Sequence, residues 1–475
     1  MKETIKSIAL FFLVTLSLTL TSWLWLGIPR GTGEVARAYE TGRERVETRT
    51  LADLTGPRQV VISTGGEKHF LVRPDSDLYH RIWLEARSAL RAIDGLEMEN
   101  TIQEEVSRRE KVQEEPGPGE EVKPRPRMEL VLAASLPADL WLRLWEIEGL
   151  KEQAGRSLMM DRVVLVFGEN TEVYFVDQGA QTYGRAQVVG GALALRSLMS
   201  SLTSEDLVPA RALPNRLGHL QPEAGLYVPE HPLLSSRVLL DPEWTNPEET
   251  AERFFLDLSF VRRIDEKDGA IIYTDGKRGL RLYPNGVLEF NVPQVSGDRP
   301  QVAPVGALEA AITFIARHGG WPDNCYLSSF TGRPFALLDP ARHQGRAGSR
   351  YEIAFSYRYR GLPVIYPGDM KGAMTTVVMG GEVETYSRLV LKPREEEGPS
   401  QLPLLGVEEA LAAVDAEIAS GNGAGEEITV TDVYLAYQVT PAQAETRWLL
   451  NPVWVFETVR GRFVVDALTG EVTKG

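Results

Sequence analysis

Cys325 is the only cysteine in this 475-residue chain. A lone thiol excludes an internal disulfide and any cluster of thiolate ligands. Stability must therefore come from packing, and Cys325 is read as a small buried core residue. Histidine is scarce as well: His69, His80, His219, His231, His318 and His343 are scattered, with no HxH or HExxH pair among them. A transition-metal site is not expected from that pattern. There is no GxSxG elbow and no SxxK, which removes the common signatures of an activated serine. Gly421-Asn422-Gly423-Ala424-Gly425 follows a helical pattern rather than a strand, so it is read as a loop and not as a dinucleotide fingerprint. Gly276-Lys277 lacks the upstream glycine spacing of a phosphate loop. Acidic pairs such as Asp265-Glu266 and Glu408-Glu409 are common in so acidic a chain, and nothing sets two carboxylates across a cleft. No catalytic, cofactor-binding or metal-ligating residue is assigned, and the chain is not read as an enzyme.

Basic charge is in the minority. Removing Lys2, Lys6 and Glu3 from 51 basic and 66 acidic residues leaves 49 and 65, a net charge of −16 on the remainder. Such a surface repels phosphate backbones, so nucleic-acid binding is not expected.

Charge is missing altogether from residues 8–28, IALFFLVTLSLTLTSWLWLGI. As a helix this run is about 30 Å long, the hydrocarbon thickness of a bilayer. Pro29 and Gly31 end it, Trp23 and Trp25 fall where an interfacial aromatic belt belongs, and Lys2 and Lys6 precede it. We read it as a single transmembrane helix in contact with the lipid bilayer, with residues 1–7 as a cytoplasmic head. The body from Arg30 onward then lies outside the cell membrane. A cleaved signal peptide is the rival, because Ala36-Arg37-Ala38 has the small-x-small form. The run is longer than a signal core, and those alanines lie well past its end. On the helix, Thr15, Thr19 and Ser22 line one side and Ser17 and Thr21 another. Small hydroxyl residues let a neighbouring helix approach closely, so these five are the candidate partner-binding residues; they are also simply tolerated in such helices.

The body has the apolar and charged fractions of an ordinary globular protein, and its patterning predicts an α+β fold in several domains. A charged stalk, 30–50, leads into a first domain, 31–234. There a hairpin, 59–63 with 69–72, is followed by a helix capped by Asp75 or Ser76 and running to about residue 93. Its inner stripe is Leu78, Ile82, Ala86, Ala89 and Ile93. Residues 97–127 are nearly all charge and end in EEPGPGEEVKPRPR, which predicts a mobile insert with a helical start at best. Strands are expected at 129–133, 162–167 and 172–176, and helices from Pro137 and over 191–202. Residues 209–232 read as a proline-rich connector.

A central domain, 235–395, starts with a strand at 235–240. Asn246-Pro247-Glu248-Glu249 is a strong helix start, with Phe254, Phe255 and Leu258 on the inner face. Strands at 270–274, 279–283 and 287–292 are separated by Asp275-Gly276 and Pro284-Asn285-Gly286 turns. A helix followed by a strand meander is then expected twice, from Val305 and again from about Glu408 in a C-terminal domain, 396–475.

Several stretches resemble the YycH family. They are MKETIKSIALFFLVTLSLTLTSWLWL at the start, GLYVPEHPLLSSRVLLDP over 225–242, and FFLDLSFVRRIDEKDGAIIYTDGKRGLRLYPNGVLEF over 254–290. The C-terminal module, with Pro452, Val453, Trp454 and the run Val465 to Gly470, is also similar to PepSY-type helix-plus-antiparallel-sheet domains and to the YycI protein. The insert 97–127 departs from the family's pattern. The resemblance implies a single-pass protein of the Gram-positive cytoplasmic membrane with an extracellular body. It implies work with a YycI-like partner on the sensor histidine kinase YycG, also called WalK, which controls cell-wall metabolism. It carries over no catalytic residue. A membrane-anchored binding module for wall fragments or peptides, using an exposed aromatic groove near Trp448 and Trp454, is the alternative; a cell-envelope hydrolase is a further one.

Overall fold

The computed structural model describes residues 51–474 apart from 66–67, 100–124, 148–158, 178–181, 191, 203–206, 293–299, 335–348, 369, 395–400, 421–426 and 443–446. The run 8–28 with Thr15, Ser17, Thr19, Thr21 and Ser22 lies outside the described residues, as do the stalk, the loop 421–425 and nearly all of the insert 97–127. Among the described residues no helix is long and apolar enough to cross a membrane.

A short helix, α1 (Leu51–Leu54), leads to the hairpin β1 (Gln59–Ser63) and β2 (His69–Val72), paired antiparallel as Val60 with Val72 and Ile62 with Phe70. Helix α2 (Asp77–Arg91) starts at Ser76, whose hydroxyl accepts from Tyr79 N, so one otherwise unpaired amide of the first turn is satisfied. The expected stripe is buried, joined by Tyr79, Trp83 and Leu90. The helix stops at Arg91 because the chain turns straight into strand β3 (Ile93–Glu99). This corrects the expected helical start of the insert: a charged sequence without alternation still pairs, here with β7.

The remaining elements of this half are β4 (Arg127–Pro137), α3 (Ala138–Leu144), β5 (Met159–Phe167), β6 (Thr171–Asp177), β7 (Thr182–Val188), α4 (Leu193–Ser200), β8 (Leu207–Ala212), β9 (Leu220–Pro222) and β10 (Tyr227–Pro229). Nine strands form one antiparallel sheet in the order β10-β8-β2-β1-β4-β5-β6-β7-β3. Residues 209–232 are therefore not a plain connector. They finish β8 and supply β9 and β10, and β10 tolerates Pro229 because it is the sheet's edge. On this sheet's core, Trp83 and Trp141 both pack on Trp145, with ring centroids 5.5 and 5.0 Å away.

The second half continues with β11 (Leu234–Ser235), β12 (Val238–Pro242), α5 (Pro247–Glu252), β13 (Arg262–Asp265), β14 (Ile271–Thr274), β15 (Gly279–Leu282), β16 (Leu288–Asn291) and α6 (Pro304–Arg317). Asn246 caps α5 through Glu248 N. The helix ends at Glu252, so Phe254 and Phe255 are buried from the turn beyond it rather than from its inner face. Next come β17 (Cys325–Pro334), β18 (Ser349–Tyr359), β19 (Leu362–Ile365), β20 (Met374–Met379), β21 (Glu382–Arg388), β22 (Leu391–Pro393) and β23 (Leu402–Pro403). The chain closes with α7 (Val407–Ser420), β24 (Ile428–Pro441), β25 (Trp448–Thr458), β26 (Gly461–Asp466) and β27 (Val472–Lys474).

Sixteen of these strands share one sheet, antiparallel except where β19 and β9 lie parallel to β24. Strand pairing crosses residues 234 and 395: β9 pairs with β24, and β12 sits between β25 and β22. Helix α6 buries Ala307, Leu308, Ala311, Ile312 and Ile315. Helix α7 buries Val407, Ala410, Leu411 and Val414 over a separate core that includes Trp454 and Phe456. Antiparallel strands follow both helices: β17, β18, β20 and β21 after α6, interrupted by β19, which pairs with β18 and lies parallel to β24, and the uninterrupted β24-β25-β26-β27 after α7. In the Pro284-Asn285-Gly286 turn, Gly286 has φ +94 and lies so close to Pro242 that a Cβ would sit 2.6 Å from its ring, which leaves no room for a side chain.

Candidate functional site

Arg58 precedes β1, and its guanidinium leaves its own sheet to reach the other. Its Nη2 donates to Asp432 Oδ2 on β24 at 2.5 Å, and the group lies 3.9 Å over the ring of Tyr434. Burial works against the charge of Arg58, but the Asp432 carboxylate and Tyr434 outweigh it and raise the pKa above the ordinary arginine value. The Tyr434 hydroxyl donates to Glu457 Oε1 at 3.1 Å, and Arg462 Nε donates to the same oxygen at 2.8 Å. Burial, reinforced by the Glu457 charge, pushes the Tyr434 phenol far above its usual range, so it remains a donor.

The backbone beside Arg58 is held from a second strand. Arg358 of β18 donates to Pro57 O at 2.9 Å, and so does the Tyr79 hydroxyl. The Arg358 guanidinium lies 4.5 Å over the ring of Tyr326, whose phenol burial also raises.

This joint divides two clefts, and Arg58 and Tyr434 line both. The larger has a volume of about 1000 Å³ and lies between β4 and β5 on one side and β17, β18 and β24 on the other. Its ionic groups are largely matched to each other: Arg58 with Asp432, Arg462 with Glu457, Lys371 with Glu352 at 3.1 Å. Arg162 turns to the buried Glu129 at 3.1 Å and to Gly225 O at 2.8 Å. Ser356 and Ser328 are committed to backbone oxygens, Val364 O and Lys371 O. Among the described residues no histidine lines this cleft. The smaller cleft, about 390 Å³, is mostly apolar and includes Leu71, Val228, Leu404 and Leu435. Among the described residues no three His, Cys, Asp or Glu side chains gather to hold a metal ion. The arrangement suits fixing two sheets in one relative orientation, and its clefts have the dimensions of small-ligand sites.

Cys325 is buried and its thiol donates to Ser356 O at 3.0 Å. His80 is exposed on α2. Trp448 and Trp454 do not form an exposed groove: both are buried, and their indoles donate to Asn285 O and Leu405 O. Nothing in the sequence singles out Arg58, Arg358, Asp432, Tyr434, Glu457 or Arg462. Arg58 and Asp432 are 374 positions apart, and no local spacing announces such a pair.

Residues 3–190 match the family model described as the YycH protein, N-terminal domain. In three dimensions the chain is similar to the crystal structure of YycH from Bacillus subtilis, with a TM-score of 0.58 at 16% identity, covering 90% of this chain and 97% of that one. At that identity the likeness is one of fold. An uncharacterized protein from Eubacterium rectale aligns over 56% of this chain and 93% of its own, at 11% identity and a TM-score of 0.38. No curated protein matches the chain in sequence.

Proposed function

We propose, from the premise that this chain belongs to the YycH family, that it is a non-catalytic accessory regulator of a two-component system controlling cell-wall metabolism. Its target is the sensor histidine kinase YycG/WalK, and a YycI-like protein acts beside it. Residues 8–28 anchor it in the cell membrane with the body outside, and Thr15, Thr19 and Ser22, with Ser17 and Thr21 on the neighbouring side, meet kinase transmembrane helices. The observation that carries this reading is the family match, which begins at residue 3 and so takes in the whole apolar run. The joint is consistent with it: buried charge is used to hold two sheets together. An accessory protein of this kind changes kinase output only as far as it binds one kinase state better than another.

The test is co-purification of the kinase from membranes with the full chain and with the triple substitution T15L/T19L/S22L. The expected result is loss of the kinase and altered kinase output; an unchanged kinase yield and output would remove helix contact as the mechanism. A membrane-anchored binding module remains the second reading, supported by the cleft of about 1000 Å³ rather than by the tryptophans.

A further inference from the structure

Strand β13 is an open edge of the large sheet, paired with β14 alone among the described residues. Its register sets Arg262 against Thr274 and Ile264 against Ile272, and just beyond it Glu266 N donates to Ala270 O at 2.8 Å. The ladder bonds therefore fall on the even-numbered residues. Alternation then turns the N–H and C=O groups of Arg263 and Asp265 outward, away from β14. Every residue of the strand is exposed. Just ahead of it Leu256 and Phe260 are 80% and 81% exposed, the two largest exposures among the large apolar side chains of the described residues.

An open edge is a template for another strand, and proteins commonly guard it with charge. Charge of one sign would repel a second copy. Here the order is Arg262, Arg263, Ile264, Asp265, Glu266: two positive residues, a neutral centre, two negative residues. We propose that this edge pairs with the same edge of a second copy of the chain, antiparallel and centred on Ile264.

The register follows from which groups face out. Outward-facing residues must exchange the new ladder bonds, so Arg263 pairs with Asp265 of the second copy and Asp265 with its Arg263. Ile264 then lies opposite Ile264 across the two-fold axis, and Arg262 lies opposite Glu266. Sliding the copies by two residues sets Arg263 against Arg263 or Asp265 against Asp265, and a parallel arrangement sets each charge on its like. One register alone satisfies both the ladder and the charges, and its symmetry makes the contact self-closing. Arg263 already meets Asp265 and Glu248, and Glu266 meets Arg281. Arg262 has no ion-pair partner within the described residues and gains one in the pair. Phe260 and Leu256 flank the ladder at both of its ends.

The test uses the full chain in detergent. Opposed non-hydrogen-bonded residues have Cα atoms about 4.5 Å apart, within the roughly 4.4–6.8 Å span of a disulfide, so I264C should form a covalent dimer under mild oxidation. V459C, placed in a turn where Val459 is 67% exposed, should stay at the background set by the buried Cys325. Adding R262E/R263E, or separately D265R/E266R, to I264C should abolish the cross-link of each variant with itself. Mixing those two variants, carrying tags of different size, should restore it as the mixed species only, which also shows that both are folded. An I264C dimer yield no higher than that of V459C overturns the proposal. So does self-linking that survives charge reversal, or a mixture that links no better than its components.

Discussion

Arg58 and Asp432, 374 positions apart in the chain, meet at 2.5 Å and tie the nine-stranded sheet to the sixteen-stranded one. The Arg58 side chain is 9% exposed and that of Asp432 is 24% exposed. Few interactions are as costly to break on one side, because the surviving charge is left partly buried without its partner.

Arg58→Ala should therefore lower the unfolding free energy by about 3 kcal/mol, since it strands Asp432 and also removes the guanidinium from the face of Tyr434. Asp432→Asn keeps a hydrogen-bond acceptor and should cost less. Denaturant unfolding of both variants and of the double variant measures the coupling. A loss under 0.5 kcal/mol for Arg58→Ala, on the order of an ordinary surface change, would mean that the joint does not hold the sheets together.

Tyr434→Phe keeps the ring beneath Arg58 and deletes only the donor to Glu457, so a loss of about 1 kcal/mol is expected near neutral pH. The pH dependence separates this bond from general packing. The folded phenol holds its proton well above the ordinary range because it is buried beside Glu457. The stability it contributes is complete below the unfolded tyrosine pKa of about 10 and is lost as pH rises beyond that. Wild type should lose stability above pH 10 more steeply than Tyr434→Phe; parallel curves would contradict the assignment.

His318 supplies the opposite sign. It stands at the end of α6, stacked on Phe314 at 3.9 Å, with Nδ1 2.7 Å from Phe314 O. Burial lowers its pKa, and the charges of Arg317 and Arg278 add to this against the opposing hydrogen bond. A histidine that protonates less readily in the fold than in the unfolded chain destabilises the fold as pH falls through the unfolded value of about 6.5. The slope cannot exceed about 1.4 kcal/mol per pH unit for one proton. His318→Gln should flatten the stability profile between pH 7 and pH 5. A variant that tracks wild type through that window would show that His318 titrates normally.

The sequence was most legible where a local device decides the structure. Ser76 and Asn246 cap the helices expected of them, and the turns at Asp275-Gly276 and Pro284-Asn285-Gly286 separate the strands they were expected to separate. It was least legible where pairing overrides composition. Ile93–Glu99 and Arg262–Asp265 carry too much charge and too little alternation to read as strands, yet each is held by one neighbouring strand. The joint was not legible at all, because Arg58, Asp432 and Glu457 are ordinary surface letters until the two sheets meet. The hydroxyl residues between Thr15 and Ser22 fall outside the described residues, so helix geometry bears on them only through their spacing.

Glu129 tests whether buried charge is structural throughout this chain. On β4 it is 4% exposed and lies between two arginines, 3.1 Å from Arg127 Nε and 3.1 Å from Arg162 Nη1. Arg127 also reaches the Tyr227 hydroxyl, and Arg162 reaches Gly225 O, so the trio ties the middle of the sheet to β10 and to the turn before it. Glu129→Ala would leave two guanidinium groups in the interior facing one another, at a cost of about 3–5 kcal/mol. Glu129→Gln preserves the shape and the acceptor oxygen but not the charge, and should recover only part of the loss. An apolar replacement of all three, Arg127→Met, Glu129→Leu and Arg162→Met, removes the desolvation cost together with the attraction and should be far milder than Glu129→Ala alone. If the triple variant instead unfolds as readily as Glu129→Ala, the arginines act through their contacts to Tyr227 and Gly225, and the carboxylate is secondary. Denaturant midpoints of the three variants decide between these accounts.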